Sequence, residues 1–81
     1  MKQRELSRES IGNNNWFIEI ELIPENDFES NAIRNVEISE SSDEENHLVE
    51  TNLRVALGKL SIVNLVRQKK NVFALTAKIH Q

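Results

Sequence analysis

The chain has 81 residues and no cysteine, and its ten basic and thirteen acidic residues leave a net charge of −3. A chain of this length forms one small domain, and the lack of thiols excludes both disulfides and a cysteine zinc site. Small folds without such cross-links often depend on association, so we expect a partner chain or a homo-oligomer. Since no stretch reaches the ~18 apolar residues of a membrane span, we expect no membrane contact. The missing cysteine favours a soluble, cytoplasmic protein.

Charge is divided unevenly along the chain. All thirteen acids lie at or before Glu50, where four basic residues accompany them, whereas residues 51–81 hold six basic residues and no acid. The two parts carry −9 and +6, which together give the net −3. This layout predicts a bipolar surface that docks electrostatically, either within the fold or onto a charged partner.

Residues 1–15 are polar and end in Gly12-Asn13-Asn14-Asn15, a turn signal. They are predicted to form a flexible N-terminal tail, as chain ends often do. The rest of the chain, residues 16–81, is then one small β-rich domain.

Residues 16–23 contain the first predicted strand. Trp16, Ile18, Ile20 and Leu22 occupy alternate positions, as on the buried face of a strand. Pro24 ends this strand. Residues 24–33 have two interpretations, a short helix with acids in its first turn or an irregular loop.

Residues 32–40 are predicted to form a second, more polar strand of the kind found at sheet edges. Residues 39–46 then form an acidic loop, because like charges at this density repel one another. Ser42 and Glu45 also match a capping box, so a helix beginning here is an alternative.

Residues 48–67 also have two interpretations. As a helix, they place Val49, Leu53 and Ala56 on one face but hold Gly58 in the interior. As a hairpin, they turn at Gly58-Lys59, pair Leu57 with Leu60 and set Glu50 opposite Arg67. The hairpin interpretation is favoured by the segment that follows.

That segment has a second polar turn at residues 68–71. Counting outward from this turn sets Arg67 opposite Val72, Val66 opposite Phe73 and Ile62 opposite Ala77. The resulting face is apolar except for Asn64. Two turns that agree on one face predict a three-stranded C-terminal meander. The fold class is therefore mainly β, with α+β as the alternative, in a small antiparallel sheet or barrel of four to five strands.

Catalytic chemistry has little support in the sequence. The two histidines, His47 and His80, lie far apart, and the only glycines are Gly12 and Gly58, so no phosphate-binding loop exists. There is also no tyrosine and no cluster of metal ligands. We expect no enzymatic activity, no cofactor, no metal and no small-molecule substrate.

We therefore expect a non-enzymatic protein-interaction or adaptor module with a bipolar charged surface, which binds another protein or itself. The outer face of the meander is the candidate basic surface: Arg54, Arg67, Lys69, Lys70 and Lys78. The candidate acidic surface lies in the loop before it: Glu40, Asp43, Glu44 and Glu45. The alternative function is nucleic-acid binding through the basic surface. No exposed aromatic pair is predicted there to stack with bases.

Overall fold

The computed structural model describes residues 1–36 and 44–79, apart from the side chain of Glu45. Its elements in chain order are β1 (Lys2–Gly12), β2 (Asn15–Ile23), α1 (Asp27–Asn35), α2 (Glu44–Leu57), β3 (Leu60–Arg67) and β4 (Val72–Ile79). The four strands form one antiparallel sheet in the order β1-β2-β4-β3. The predicted fold class, a small antiparallel sheet with some helix, is confirmed.

The core lies between one face of this sheet and the two helices. The two central strands supply most of its side chains, because Ile18 pairs with Leu75 and Ile20 with Phe73, which places all four on the same face. The helices add the remaining large side chains of the core: Ile33, Val49, Leu53 and Leu57. Burying each such side chain contributes roughly 1.5–3 kcal/mol, so both helices are needed to cover this face.

Helix α2 occupies the segment for which a strand was predicted. Its buried residues Val49, Leu53 and Leu57 repeat every four positions, as on one helical face. The helix ends at Gly58, whose φ of +69° and N–H bond to the Arg54 carbonyl (3.1 Å) form a left-handed C-terminal cap. The first strand of the predicted meander is therefore wrong, and only the β3–β4 hairpin remains.

Helix α1 follows the turn after β2 and confirms the short-helix interpretation of this connection. Asn26 is the N-cap, and its side-chain oxygen accepts a bond from the N–H of Glu29 (2.8 Å). The strand predicted over residues 32–40 is wrong in its first part, because α1 continues to Asn35. Residues 37–40 lie outside the described residues.

Strand β1 replaces the flexible tail predicted for residues 1–15. It pairs along its length with β2 through a two-residue turn, in which Asn13 and Asn14 have φ values of 55° and 62°. Positive φ at both positions is the geometry of a type I′ hairpin, which asparagine tolerates. The register shifts at Leu6 and Ile11, which are unpaired bulge residues. The prediction of a flexible tail was wrong because β1 is an edge strand that is exposed to solvent on both faces. Such a strand needs no alternating apolar residues, so its sequence carries no strand pattern.

Polar contacts attach the start of β1 to both helices. The Met1 ammonium group lies 2.9 Å from carboxylate oxygens of Glu25 and Glu29, next to α1. The Gln3 amide donates to the Asn52 side chain of α2. The hydrogen bond that the ammonium donates to Glu29, and then the one that it donates to Glu25, raises the pKa of the Met1 amino group. The same ammonium holds the pKa of Glu29 below its usual range.

Strand β3 contains a bulge that changes which residues face the helices. Leu60 to Ile62 pair with β4 in the predicted register, but after Val63 the register moves by one residue. Leu65 therefore pairs with Leu75, and Asn64 pairs with Thr76 on the opposite face. The predicted pairing of Val66 with Phe73 is wrong, because one extra residue inverts the alternation that follows it.

Replacing Gly58 with alanine should destabilise the protein through the backbone alone. No atom lies within 4 Å of the position that a Cβ would take, so no clash contributes. The left-handed conformation costs a residue with a Cβ about 1 kcal/mol. Urea unfolding should therefore show this loss for Gly58→Ala and a smaller one for Gly58→Asn, because asparagine tolerates this conformation. Equal stability of the glycine and alanine forms would contradict the cap.

The Met1–Glu29 contact should stabilise the fold only over a central range of pH. The pKa of Glu29 is lower in the folded protein than in the unfolded chain. The carboxylate therefore adds to the free energy of unfolding above the unfolded pKa of about 4.3, and this addition is lost as pH falls through the folded pKa. The pKa of the Met1 amino group is raised in the folded protein. The ammonium therefore adds fully to the free energy of unfolding below about pH 8, and this addition is lost as pH rises through the folded pKa.

Urea midpoints measured across this range should test the contact. The difference between the wild type and Glu29→Gln should be largest between about pH 5 and 8. The control Asp27→Asn removes a carboxylate from the same turn of α1 without touching Met1. A pH profile of Glu29→Gln that parallels that of Asp27→Asn would refute the contact.

Candidate functional site

Arg67, which was predicted for the basic surface, binds the end of helix α1. Its guanidinium donates to the carbonyls of Ile33 and Val36, and its Cζ atom lies 5.4 Å from the centre of the Phe73 ring. A cation at this position satisfies carbonyls that a helix leaves unpaired at its C-terminus. Arg67 is therefore used within the fold, and its predicted pairing with Glu50 is wrong.

The other basic candidates lie on different sides of the molecule. Arg54 is on α2 and binds Glu50 one helical turn away (2.9 Å). Lys78 pairs with Asn15 and Ser61 and projects from the face without helices. Lys69 and Lys70 are exposed in the β3–β4 turn, about 20 Å along β4 from Lys78. The fold does not bring these residues together as one surface.

The acidic candidates are described only in part. Glu40 and Asp43 lie outside the described residues, and the side chain of Glu45 is not described. Glu44 is the exposed first residue of α2. The loop predicted over residues 39–46 is wrong in its last part, because α2 begins at Glu44. The predicted capping box lies outside the described part of the chain, since neither Ser42 nor the Glu45 side chain is described. The predicted contact between an acidic loop and a basic surface remains a prediction.

The sheet face opposite the helices is a different candidate, and we call it the open face. Its β4 and β3 positions form an uncharged strip, because β4 contributes Val72, Ala74 and Thr76 and β3 contributes Val66, whereas β2 contributes Phe17 beside Glu19 and Glu21. Ala74 is only 7% exposed although neither of the described helices lies on this face. The larger side chains beside it therefore already exclude water from the middle of this face.

A shallow groove runs along β4 on the open face and encloses about 250 Å³. Ala74 and Thr76 form its floor, Phe17 stands on the β2 side, and Val66 stands on the β3 side. Val66 is 54% exposed. Asn64 and Gln68 add amide groups to the β3 side. The Asn64 side-chain oxygen accepts a hydrogen bond from the N–H of Leu65 (2.9 Å).

Charged residues border this uncharged strip on two sides. On the side toward β1, Arg4 binds Glu21 (2.7 Å) and Ser7 donates to Glu19 (2.8 Å). Lys78 lies at the opposite end of β4 from Val72. The open face thus combines this uncharged strip with charged residues on its β1 side and at the Lys78 end, and protein-binding surfaces likewise combine apolar and polar residues.

The groove holds no group suited to acid–base or nucleophilic chemistry. Its lining contains no acid, histidine, lysine or cysteine, and an unassisted threonine hydroxyl is a weak nucleophile. Within residues 1–36 and 44–79, no group of three or more possible metal ligands is found. His47 is exposed on α2, and His80 lies outside the described residues. No helix in these ranges is long and apolar enough to cross a membrane.

The sequence contained a signal for this surface that charge patterning concealed. Phe17 occupies the strand face that otherwise carries Glu19 and Glu21, and the outer positions of β4 are uncharged until Lys78. A solvated strand face normally alternates polar residues with the core. Val66 could not be assigned to this face, because its position depends on the bulge at Val63.

Comparison with known proteins supplies no family for this chain. No family model, curated protein or solved structure matches it. The functional argument therefore rests on the open face and its surroundings.

Replacing Arg67 with glutamine should destabilise the fold by about 2 kcal/mol, because charged hydrogen bonds to the α1 carbonyls are lost. Arg67→Lys should lie between glutamine and the wild type, since it keeps the charge but not the planar fork. The control Lys69→Gln should change stability by less than about 0.5 kcal/mol. Urea unfolding measures all three. Unchanged stability in Arg67→Gln would mean that this side chain is free for a partner.

Proposed function

We propose that this protein is a non-enzymatic protein-interaction or adaptor module that binds its partner through the open face. The observation that carries the proposal is an uncharged strip along β4 and β3, on a sheet face that none of the described elements covers. Domains normally bury apolar faces against a second layer of structure. Antiparallel sheets that leave one face in water usually make that face polar. Here Phe17, Val66 and Val72 occupy such positions instead.

The composition of the face supports binding rather than catalysis. The uncharged strip includes the nearly buried Ala74 and is bordered by Phe17, and the charged residues lie along β1 and β2 and at the Lys78 end. Interfaces place well-packed apolar residues centrally and polar residues at the rim. The absence of titratable groups from the groove lining gives acid–base chemistry no means to operate there.

The arrangement of cations gives less support to nucleic-acid binding. Arg67 is bound to α1, Arg54 is paired with Glu50, and Lys78 is distant from the lysines of the β3–β4 turn. Phosphate recognition draws its affinity from several cations acting together. An experiment that tests protein binding by the open face should therefore also be able to detect nucleic-acid binding.

A photo-crosslinking amino acid at Val66 should form a protein crosslink in an extract of the cells that make this protein. The same amino acid at Val55, a residue on α2 that is 67% exposed, is the matched control and should not crosslink. Because the two valines are similarly exposed, a difference between them reports binding at the open face. Mass spectrometry identifies the crosslinked chain, and a second copy of this protein counts as a partner.

The contrary results are equally specific. Equal crosslinking at Val55 and Val66, or none at Val66, would contradict a binding site on the open face. Retention on heparin at low salt, abolished by Lys69→Glu with Lys70→Glu and unaffected by Val66→Glu, would favour nucleic-acid binding instead.

A further inference from the structure

We infer that the partner on the open face is a second copy of this chain, packed face to face about a two-fold axis. This inference rests on the proposed function, since it names the partner of the same surface. Closed two-fold dimers use one self-complementary surface in each copy. The charges, the groove and the two sheet edges each bear on this choice.

The charge of the open face is balanced although that of the chain is not. The described strands place three acids and three bases on it: Glu9, Glu19, Glu21, Lys2, Arg4 and Lys78. The whole chain carries −3. A copy approaching through this face therefore meets no net repulsion, whereas a strongly acidic or basic partner would find no matching excess of charge.

The register of β2 and β4 indicates how two such faces fit. An axis that crosses the strands at the Ile18–Leu75 pair lays the Asn15–Lys78 row over the Glu21–Val72 row of the other copy. Each Lys78 then approaches the partner copy's Glu21. This gives an opposite-charge contact on both sides of the axis, as an isologous interface requires.

The same axis places Phe17 of each copy beside the groove. It lays the Phe17–Thr76 row over the Glu19–Ala74 row of the other copy. Phe17 borders the groove in its own chain, and because this axis lays β2 over β2, its counterpart from the second copy lies above Glu19, one strand away from the Ala74 floor. The two rings thus lie beside the open volume, one in each copy. Central aromatic residues of this kind carry much of the energy of an interface.

The sheet edges are poorer sites for a second copy. Edge strand β1 has two bulges and alternating charges, features that oppose pairing between sheets. Edge strand β3 is uncharged between Lys59 and Arg67, but antiparallel pairing with its own copy would bring these cationic ends together. Like charges directly opposite each other destabilise a strand pair.

The size of the face sets the expected affinity. Four strands about 4.8 Å apart and about eight residues long give a surface of roughly 20 by 26 Å. This lies toward the lower end of specific interfaces. We therefore expect a dissociation constant in the micromolar range.

Sedimentation of the purified full chain from about 5 µM to about 1 mM tests the inference. The wild type should pass from monomer to dimer, and Val66→Glu should weaken association about 30-fold. Val55→Glu controls for an added acid on the helical side. Val63→Glu, at a residue 62% exposed in the β3 bulge, should disturb an edge-to-edge dimer but not this one. Circular dichroism confirms that each exposed-valine variant is folded.

A charge exchange tests the orientation. Lys78→Glu and Glu21→Lys should each weaken the dimer about tenfold, and the double variant should recover to within about threefold of the wild type. Such recovery requires the two positions to meet across the interface. Two weakened single variants without recovery would overturn the proposed axis.

The remaining outcomes separate the inference from the proposed function. A chain that stays monomeric while position 66 crosslinks to a different protein would overturn the second copy as partner and leave the open-face module intact. A monomer without any crosslink at position 66 would overturn both. A dimer lost only in Val63→Glu would show edge pairing and overturn the second copy as the partner of the open face.

Discussion

The single extra residue in β3 determines what each side of the sheet can do. Side chains of a strand alternate between faces, so the bulge at Val63 inverts every later position. Arg67 consequently reaches the α1 carbonyls, and Val66 faces solvent beside the groove. A regular strand would have turned Val66 toward the core and Arg67 outward. The attachment of α1 and the composition of the open face therefore depend on the same local irregularity.

Much of the fold could be predicted where one periodicity acted alone. The alternation in β2 and the polar turn at residues 68–71 identified three of the four strands. The predicted register between β3 and β4 was correct only from Leu60 to Ile62, on the far side of the bulge from the turn. Helix α2 was harder, because Leu53 and Leu57 fit both a strand face and a helical face. Gly58 decides between them through its left-handed cap. Strand β1 left no apolar signal, since contacts remote in sequence hold it at the sheet edge.

The charge pattern was a weaker guide to the candidate site than the apolar positions were. A run of cations in sequence predicts a common surface only if the residues share one face and one end of the fold. Here the same segment divides between a helix, a turn and two sheet faces, so Arg54 lies on the helical side of the sheet and Lys78 on the open face. Phe17 and Ala74 come together because their strands pair, which no local pattern encodes.

The most direct measurement is an isotope-filtered nuclear Overhauser experiment on an equimolar mixture of labelled and unlabelled protein. It detects only contacts between different copies, and it reports both the register of β3 and the use of the open face. The account predicts contacts from the Phe17 ring of one copy to the Ala74 methyl group of the other, with Val66 nearby. Intermolecular contacts confined to Val63, or none at concentrations where the protein sediments as a dimer, would contradict it.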